Sequence, residues 1–115
     1  MKIDRFEDMV SWQKAKILTL GIYTSFKDCK DYGFKDQIQR ASVSIMNNIA
    51  EGFERLGDKE FKRFLFIAKA SCGEVRSMLY LSHDLGYLSR EETRKYYDLS
   101  VEVSKLISGF IKKLN

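Results

Sequence analysis

Arg40-Ala41-Ser42-Val43-Ser44-Ile45-Met46-Asn47-Asn48-Ile49-Ala50-Glu51-Gly52-Phe53-Glu54-Arg55 is the stretch that decides the fold. Wound at about 100° per residue, it sorts into three strips. Ile38, Ala41, Ile45 and Ile49 make one apolar stripe. Val43, Met46, Ala50 and Phe53 make a second, roughly 115° away. Arg40, Ser44, Asn47, Asn48, Glu51 and Arg55 fill a polar seam. A helix that only lines a small bundle needs one apolar stripe. Two stripes predict two packing partners, the bundle and a neighbouring subunit, and the seam is where a function carried by this helix is to be sought.

The helical period continues on both sides. A first helix is expected from about Phe6 to Cys29, with Asp4 and Glu7 at capping-box spacing. Its inner stripe reads Phe6, Met9, Val10, Ile17 and Leu20, with Trp12, Ala15, Ile22, Tyr23 and Phe26 on the other side. The turn from Lys30 to Phe34 leads to the second helix, about Lys35 to Arg55, and Gly57 suits a left-handed position after it. Asp58 is a cap for a third helix reaching about Leu85, with a core stripe of Phe61, Phe64, Leu65, Ala68, Cys72, Val75 and Leu79. Gly86 ends it. Ser89 and Glu92 form a second capping-box pattern, ahead of a fourth helix from about Arg90 to Leu114. Its stripe is Tyr96, Leu99, Val103, Leu106, Ile107, Phe110 and Leu114. Proline and strand-like alternation are both missing. Long helices joined by short loops predict an all-α fold, an antiparallel up-down-up-down four-helix bundle, with residues 1–115 as one domain.

A chain of 115 residues buries roughly two-thirds of its unfolded surface and needs no staples. No apolar run approaches the roughly 20 residues of a membrane span. The charged N-terminus has no signal-peptide core, so a cytoplasmic location without membrane contact is expected. Cys29 and Cys72 lack metal spacing, Cys72 falls on a core stripe, and a disulfide between them is not expected in a reducing compartment. The net charge of +4 permits an anionic partner without demanding one, because sixteen acidic residues offset twenty basic ones.

Two sets of cations are candidates for nucleic-acid contact. Lys62, Lys69 and Arg76 recur every seven residues on one face of the third helix, with Phe66 and Tyr80 beside them. Cations interleaved with aromatics suit a phosphate backbone and its unstacked bases, although a charged helical face is also the ordinary form of a solvated one. Arg40 and Arg55 border the polar seam. The competing account of the seam is structural: Glu51 pairs with Arg55 at i, i+4, and Asn48 meets Ser71 or Glu74 of the third helix. Arg90, Arg94 and Lys95 form a further basic cluster, diluted by Glu91 and Glu92, and Lys112 and Lys113 complement the helix dipole. Gly52 and Gly73 lie inside helices, where each costs about 1 kcal/mol relative to alanine, and point to close approach of another helix within or between subunits. His83 is the only histidine and sits near a helix end. No Glu-x-x-His pair, phosphate loop, zinc spacing or nucleophile motif occurs, and Glu51 and Glu74 alone are a weak carboxylate pair. No enzyme activity, cofactor or metal is expected.

Phe6, Trp12, Ala15 and Tyr23 open a longer pattern. It continues through Gln37, Arg40, Ala41, Ser44, Ile45, Asn48, Ile49, Ala50, Glu51, Gly52 and Arg55. Phe64, Leu65, Ile67, Ala68, Ser71 and Glu74 follow, then Gly86-Tyr87-Leu88. Over about residues 6 to 88 this resembles the small bacterial four-helix bundle proteins called 23S rRNA intervening-sequence proteins. Met46 stands where the family often has proline, Ala70 where it often has glycine, and a proline common before the second helix is missing. The resemblance implies a gene within an intervening sequence of a large-subunit ribosomal RNA gene, or elsewhere in a bacterial genome. It also implies a ring of five bundles around a channel, and kinship with a bundle protein that binds nucleic acid as an accessory to a reverse transcriptase. The expectation is therefore a non-enzymatic homo-oligomer, a pentamer by resemblance. It would bind RNA, DNA or a nucleoprotein partner through Arg40, Arg55, Lys62, Lys69 and Arg76 and use Trp12, Tyr23, Met46 and Phe53 between subunits. A reverse transcriptase is a possible protein partner on the same ground, and a structural scaffold with no nucleic-acid role is the alternative.

Overall fold

Four helices account for most of the chain in a computed structural model that describes residues 3–115: α1 Val10–Ser25, α2 Tyr32–Phe53, α3 Asp58–Asp84 and α4 Arg90–Ile111. No strand occurs among the described residues. α1 packs on α2, α2 on α3, α3 on α4, and α4 back on α1, so every helix has two neighbours around one core. The body measures 43 × 22 × 19 Å. No described helix is long and apolar enough to cross a membrane.

The helix ends follow local chemistry. Asp31 caps α2 by accepting the Phe34 N–H at 3.2 Å, which starts this helix at Tyr32, ahead of the expected Lys35. Gly57 and Gly86 hold φ of +86° and +78° on either side of α3, a region where a side chain would be strained. Asp58 is the first residue of α3 and does not cap it; its carboxylate accepts the Asn115 N–H at 2.9 Å. Ser89 and Glu92 form the expected reciprocal capping box, both bonds 3.0 Å.

The first helix departs from expectation. Asp4 and Glu7 do not cap it. Phe6–Asp8 make a single 3-10 turn closed by the Met9 N–H on the Phe6 carbonyl, and α1 begins only at Val10 and ends at Ser25. Its buried face is also different. Val10, Ile17 and Leu20 are 50%, 54% and 58% exposed, while Ala15, Leu18, Ile22 and Phe26 are fully buried. α1 is apolar on several sides, and the side it buries carries Ser11, Ala15, Leu18, Thr19 and Ile22. The buried Thr19 hydroxyl lies 2.9 Å from the Ala15 carbonyl and 3.1 Å from the Ser42 carbonyl across the interface.

The other stripes fall where the sequence puts them. Ile38, Ala41, Ile45 and Ile49 are buried, as is every member of the α3 stripe. In α4, which ends at Ile111 and not at the expected Leu114, Tyr96, Val103 and Ile107 are buried, and Leu99, Phe110 and, beyond the helix, Leu114 pack partly buried against the core. Two glycines let helices approach. A Cβ on Gly52 would stand 2.7 Å from the Phe64 Cβ, and one on Gly21 would stand 2.5 Å from the Tyr96 ring. Cys72 lies in the core, where burial pushes its thiol up to about 11. Trp12, Met46 and Phe53 are half-buried against the core: Trp12 meets Phe6 edge-on at 5.2 Å and Phe53 meets Phe61 at 5.9 Å. Tyr23 is 44% exposed.

Candidate nucleic-acid interface

A seven-residue step advances a helix by about 10.5 Å and turns it back by roughly 20°, so Lys62, Lys69 and Arg76 form a nearly straight row about 21 Å long. Phe66, Gly73 and Tyr80 fall in the same arc. The three cationic residues are partly buried, as expected of long stems laid along a helix. None forms an ion pair with a described residue. Phe66 and Tyr80 are 57% and 61% exposed. The row therefore offers uncompensated charge alternating with aromatic faces.

Gly73 sits at its centre. A Cβ there would meet only the Arg76 guanidinium, at 3.7 Å, so nothing inside the chain requires a glycine. Gly52 is explained by the α2–α3 contact. Gly73 is not.

Arg40 and Arg55 are not brought into this row. Arg55 belongs to the α2 side of α3: its guanidinium lies 4.8 Å from the centre of the Phe64 ring, and its Nη2 is 3.0 Å from Glu51. Arg63 stands 4.7 Å from the same ring and bonds Glu60, whose carboxyl is held below its usual range mainly by that guanidinium. Arg40 pairs with Asp36 at 2.9 Å. Both seam arginines thus have a carboxylate partner, unlike the α3 row. The middle of the seam is a hydrogen-bond network. The Asn48 amide donates to the Ser44 carbonyl and hydroxyl at 2.8 and 2.9 Å, and the Ser44 hydroxyl lies 3.0 Å from that of Ser71. Glu74 is exposed and makes no hydrogen bond or ion pair among the described residues. No group of three metal-ligating side chains gathers among the described residues.

Beyond Tyr80 the row runs into a cavity of about 320 Å³ between the end of α3 and the first two turns of α4. Tyr80, His83 and Asp84 line it from α3; Arg90, Thr93, Arg94 and Tyr97 line it from α4. Tyr80 and Tyr97 meet edge to face, ring centres 5.6 Å apart. Arg90 and Arg94 were noticed in the sequence, but their place here was not. The i, i+3, i+4, i+7 spacing of Arg90, Thr93, Arg94 and Tyr97 is the signal that marks one helical face. The glutamates that dilute the cluster in sequence are absent from the lining. Glu92 turns back to cap Ser89 and accepts the Ser25 hydroxyl at 2.8 Å. Lys95 lies over the Tyr96 ring instead, 5.8 Å from its centre.

A family model described as 23S rRNA-intervening sequence protein matches residues 7–109. Among solved structures, a protein of unknown function from the S23 ribosomal protein family of Bacteroides thetaiotaomicron is similar at 27% identity and a TM-score of 0.84, over 90% of this chain and 99% of that one. No curated protein matches.

Proposed function

Since this chain belongs to the 23S rRNA-intervening sequence protein family, we propose that it is a non-enzymatic, cytoplasmic, homo-oligomeric bundle that binds nucleic acid, RNA in the first place, along the α3 row. The observation that carries this reading is the row itself: Lys62, Lys69 and Arg76 have no carboxylate partner among the described residues, while Phe66 and Tyr80 stand exposed between and beyond them. Uncompensated cations bind phosphates by releasing counterions, and exposed rings stack with unpaired bases. Arg40 and Arg55 take a lesser part, because neither stands in the α3 row: Arg40 reaches Asp36 within α2, and the Arg55 guanidinium lies over the Phe64 ring.

The up-down-up-down order belongs to the same proposal. It is supported by contacts that run in opposite directions along α2 and α3, Phe53 with Phe61 and Ser44 with Ser71. A ring-like assembly, five-membered by family resemblance, would involve Tyr23 and the remaining exposed parts of Trp12, Met46 and Phe53. Its support is apolar surface left uncovered in the single chain.

The test is binding of structured RNA, single-stranded DNA and duplex DNA across a salt series, with oligomer mass measured in the same buffer. Reversing charge at Lys62 and Lys69 together is expected to weaken binding at least tenfold and to flatten its salt dependence by about one to two counterions. Unchanged binding in that double variant rejects the α3 row. A second reading, a scaffold for protein partners, draws on the exposed Val10, Ile17 and Leu20 of α1. An oligomer that binds no nucleic acid even at low salt would favour it.

A further inference from the structure

The cavity at the α3–α4 turn has the chemistry of a nucleotide site, and we infer that it holds a terminal nucleotide of the strand carried by the α3 row. This rests on the nucleic-acid reading above and adds a place to it. At about 320 Å³ the cavity is at the lower end of small-molecule sites, with room for one nucleotide. Its two kinds of lining group match the two parts of a nucleotide. Tyr80 is 61% exposed, and its edge-to-face contact with Tyr97 leaves ring face free for a base to stack on. Arg90 and Arg94 stand one helical turn apart on α4, a spacing that lets two guanidiniums close on one phosphate.

The charge balance favours an anion. Two guanidiniums line the cavity against one carboxylate, Asp84, whose neighbour His83 lies 3.7 Å away. Arg94 is shared with Asp98 at 3.4 Å on an exposed surface, a pairing too weak to withhold it from a phosphate. Arg90 makes no ion pair with a described residue. Recognition falls to these side chains, because the Ser89–Glu92 capping box already occupies the start of α4. Position supplies the last element. Tyr80 is both the final member of the α3 row and a wall of the cavity, so a strand laid along Lys62, Lys69 and Arg76 delivers its last unit there.

The experiment compares one short single-stranded RNA in three forms, 5′-phosphorylated, 3′-phosphorylated and unphosphorylated, by anisotropy. Adenosine monophosphate is titrated separately against the isotope-labelled protein by NMR. One terminal phosphate is expected to tighten binding roughly tenfold, and Tyr80→Ala or the pair Arg90→Ala and Arg94→Ala is expected to abolish that difference. Tyr80→Phe should retain it, since the ring is kept. Helical circular dichroism of each variant controls for folding. If RNA binds and depends on Lys62 and Lys69 but ignores terminal phosphate and these cavity variants, the inference fails and the α3 row stands. If adenosine monophosphate shifts the Tyr97 and Arg94 amides while strand binding is indifferent to Tyr80→Ala, the site takes a free nucleotide and the strand-end assignment is overturned. If no form of RNA binds, both fall together.

Discussion

Gly52 and Gly73 are the same residue in the same kind of element, yet their surroundings demand opposite outcomes on substitution. At Gly52 a methyl group would meet the Phe64 Cβ at 2.7 Å and the Phe61 carbonyl at 3.3 Å. Neither neighbour can swing away. Gly52→Ala is expected to destabilise the fold by about 1–3 kcal/mol, read as a lower urea midpoint. At Gly73 there is room, so Gly73→Ala should stabilise the free protein by about 0.5–1 kcal/mol through helix propensity alone. Under the proposed function the same change weakens RNA binding several-fold, because the methyl group holds a phosphate backbone off the α3 surface. A variant more stable and equally able to bind RNA would leave Gly73 without a functional explanation. The sequence flagged both glycines, since any glycine inside a helix is a cost. It did not flag Gly21, whose reason is the Tyr96 ring more than seventy residues away.

Elements were legible where apolar residues are confined to stripes. In α2 and α3 the stripes are separated by polar positions, and every residue assigned to their main core stripes is buried. In α1 apolar residues occupy several sides, so periodicity left the inward face open; the buried side is the one that carries Ser11, Ala15, Leu18, Thr19 and Ile22, with the Thr19 hydroxyl 3.1 Å from the Ser42 carbonyl of α2. The cavity escaped notice for a different reason: it joins the end of one element to the start of the next, and neither half looks like a site alone. A long-range bond links the two turns at the far end from Gly57. The Tyr87 hydroxyl donates to the Asp31 carboxylate at 2.6 Å, beside the Phe26, Phe34 and Tyr87 rings. The bond raises the Tyr87 phenol to about 12 and, together with the Phe34 N–H, holds the Asp31 carboxyl below its usual range. For the raised phenol, the stabilisation is complete below its ordinary value near 10 and disappears as pH climbs through about 12. For the depressed carboxyl, it is complete above the ordinary value near 3.8 and disappears as pH falls further. The melting-temperature difference between the parent and Tyr87→Phe should therefore hold steady from about pH 5 to 9 and shrink at both extremes. A difference that does not vary with pH would mean the bond contributes nothing.

Among the four helix-to-helix contacts of the whole molecule, three join neighbours in sequence and one does not. The α1–α2, α2–α3 and α3–α4 contacts each join consecutive helices, whereas α4 returns to α1 across most of the chain. The closing contact is concrete: the Tyr96 hydroxyl donates to the Gly21 carbonyl at 3.0 Å, and Ser25 reaches Glu92 at 2.8 Å. These pairs are separated by 75 and 67 positions.

The seam between the first and last helices bears on the order of events in time. Joining distant parts of a chain costs more entropy than joining adjacent helices, so the consecutive contacts come first and the α1–α4 seam closes after the rate-limiting step. Tyr96→Phe removes the hydroxyl from the seam and keeps the ring. It should accelerate unfolding in urea while leaving the refolding rate close to that of the parent. With no proline in the chain, refolding should also lack the slow phase of tens of seconds that prolyl isomerisation imposes. Stopped-flow measurement of both rates checks this, and a slowed refolding limb would place the seam in the folding nucleus instead.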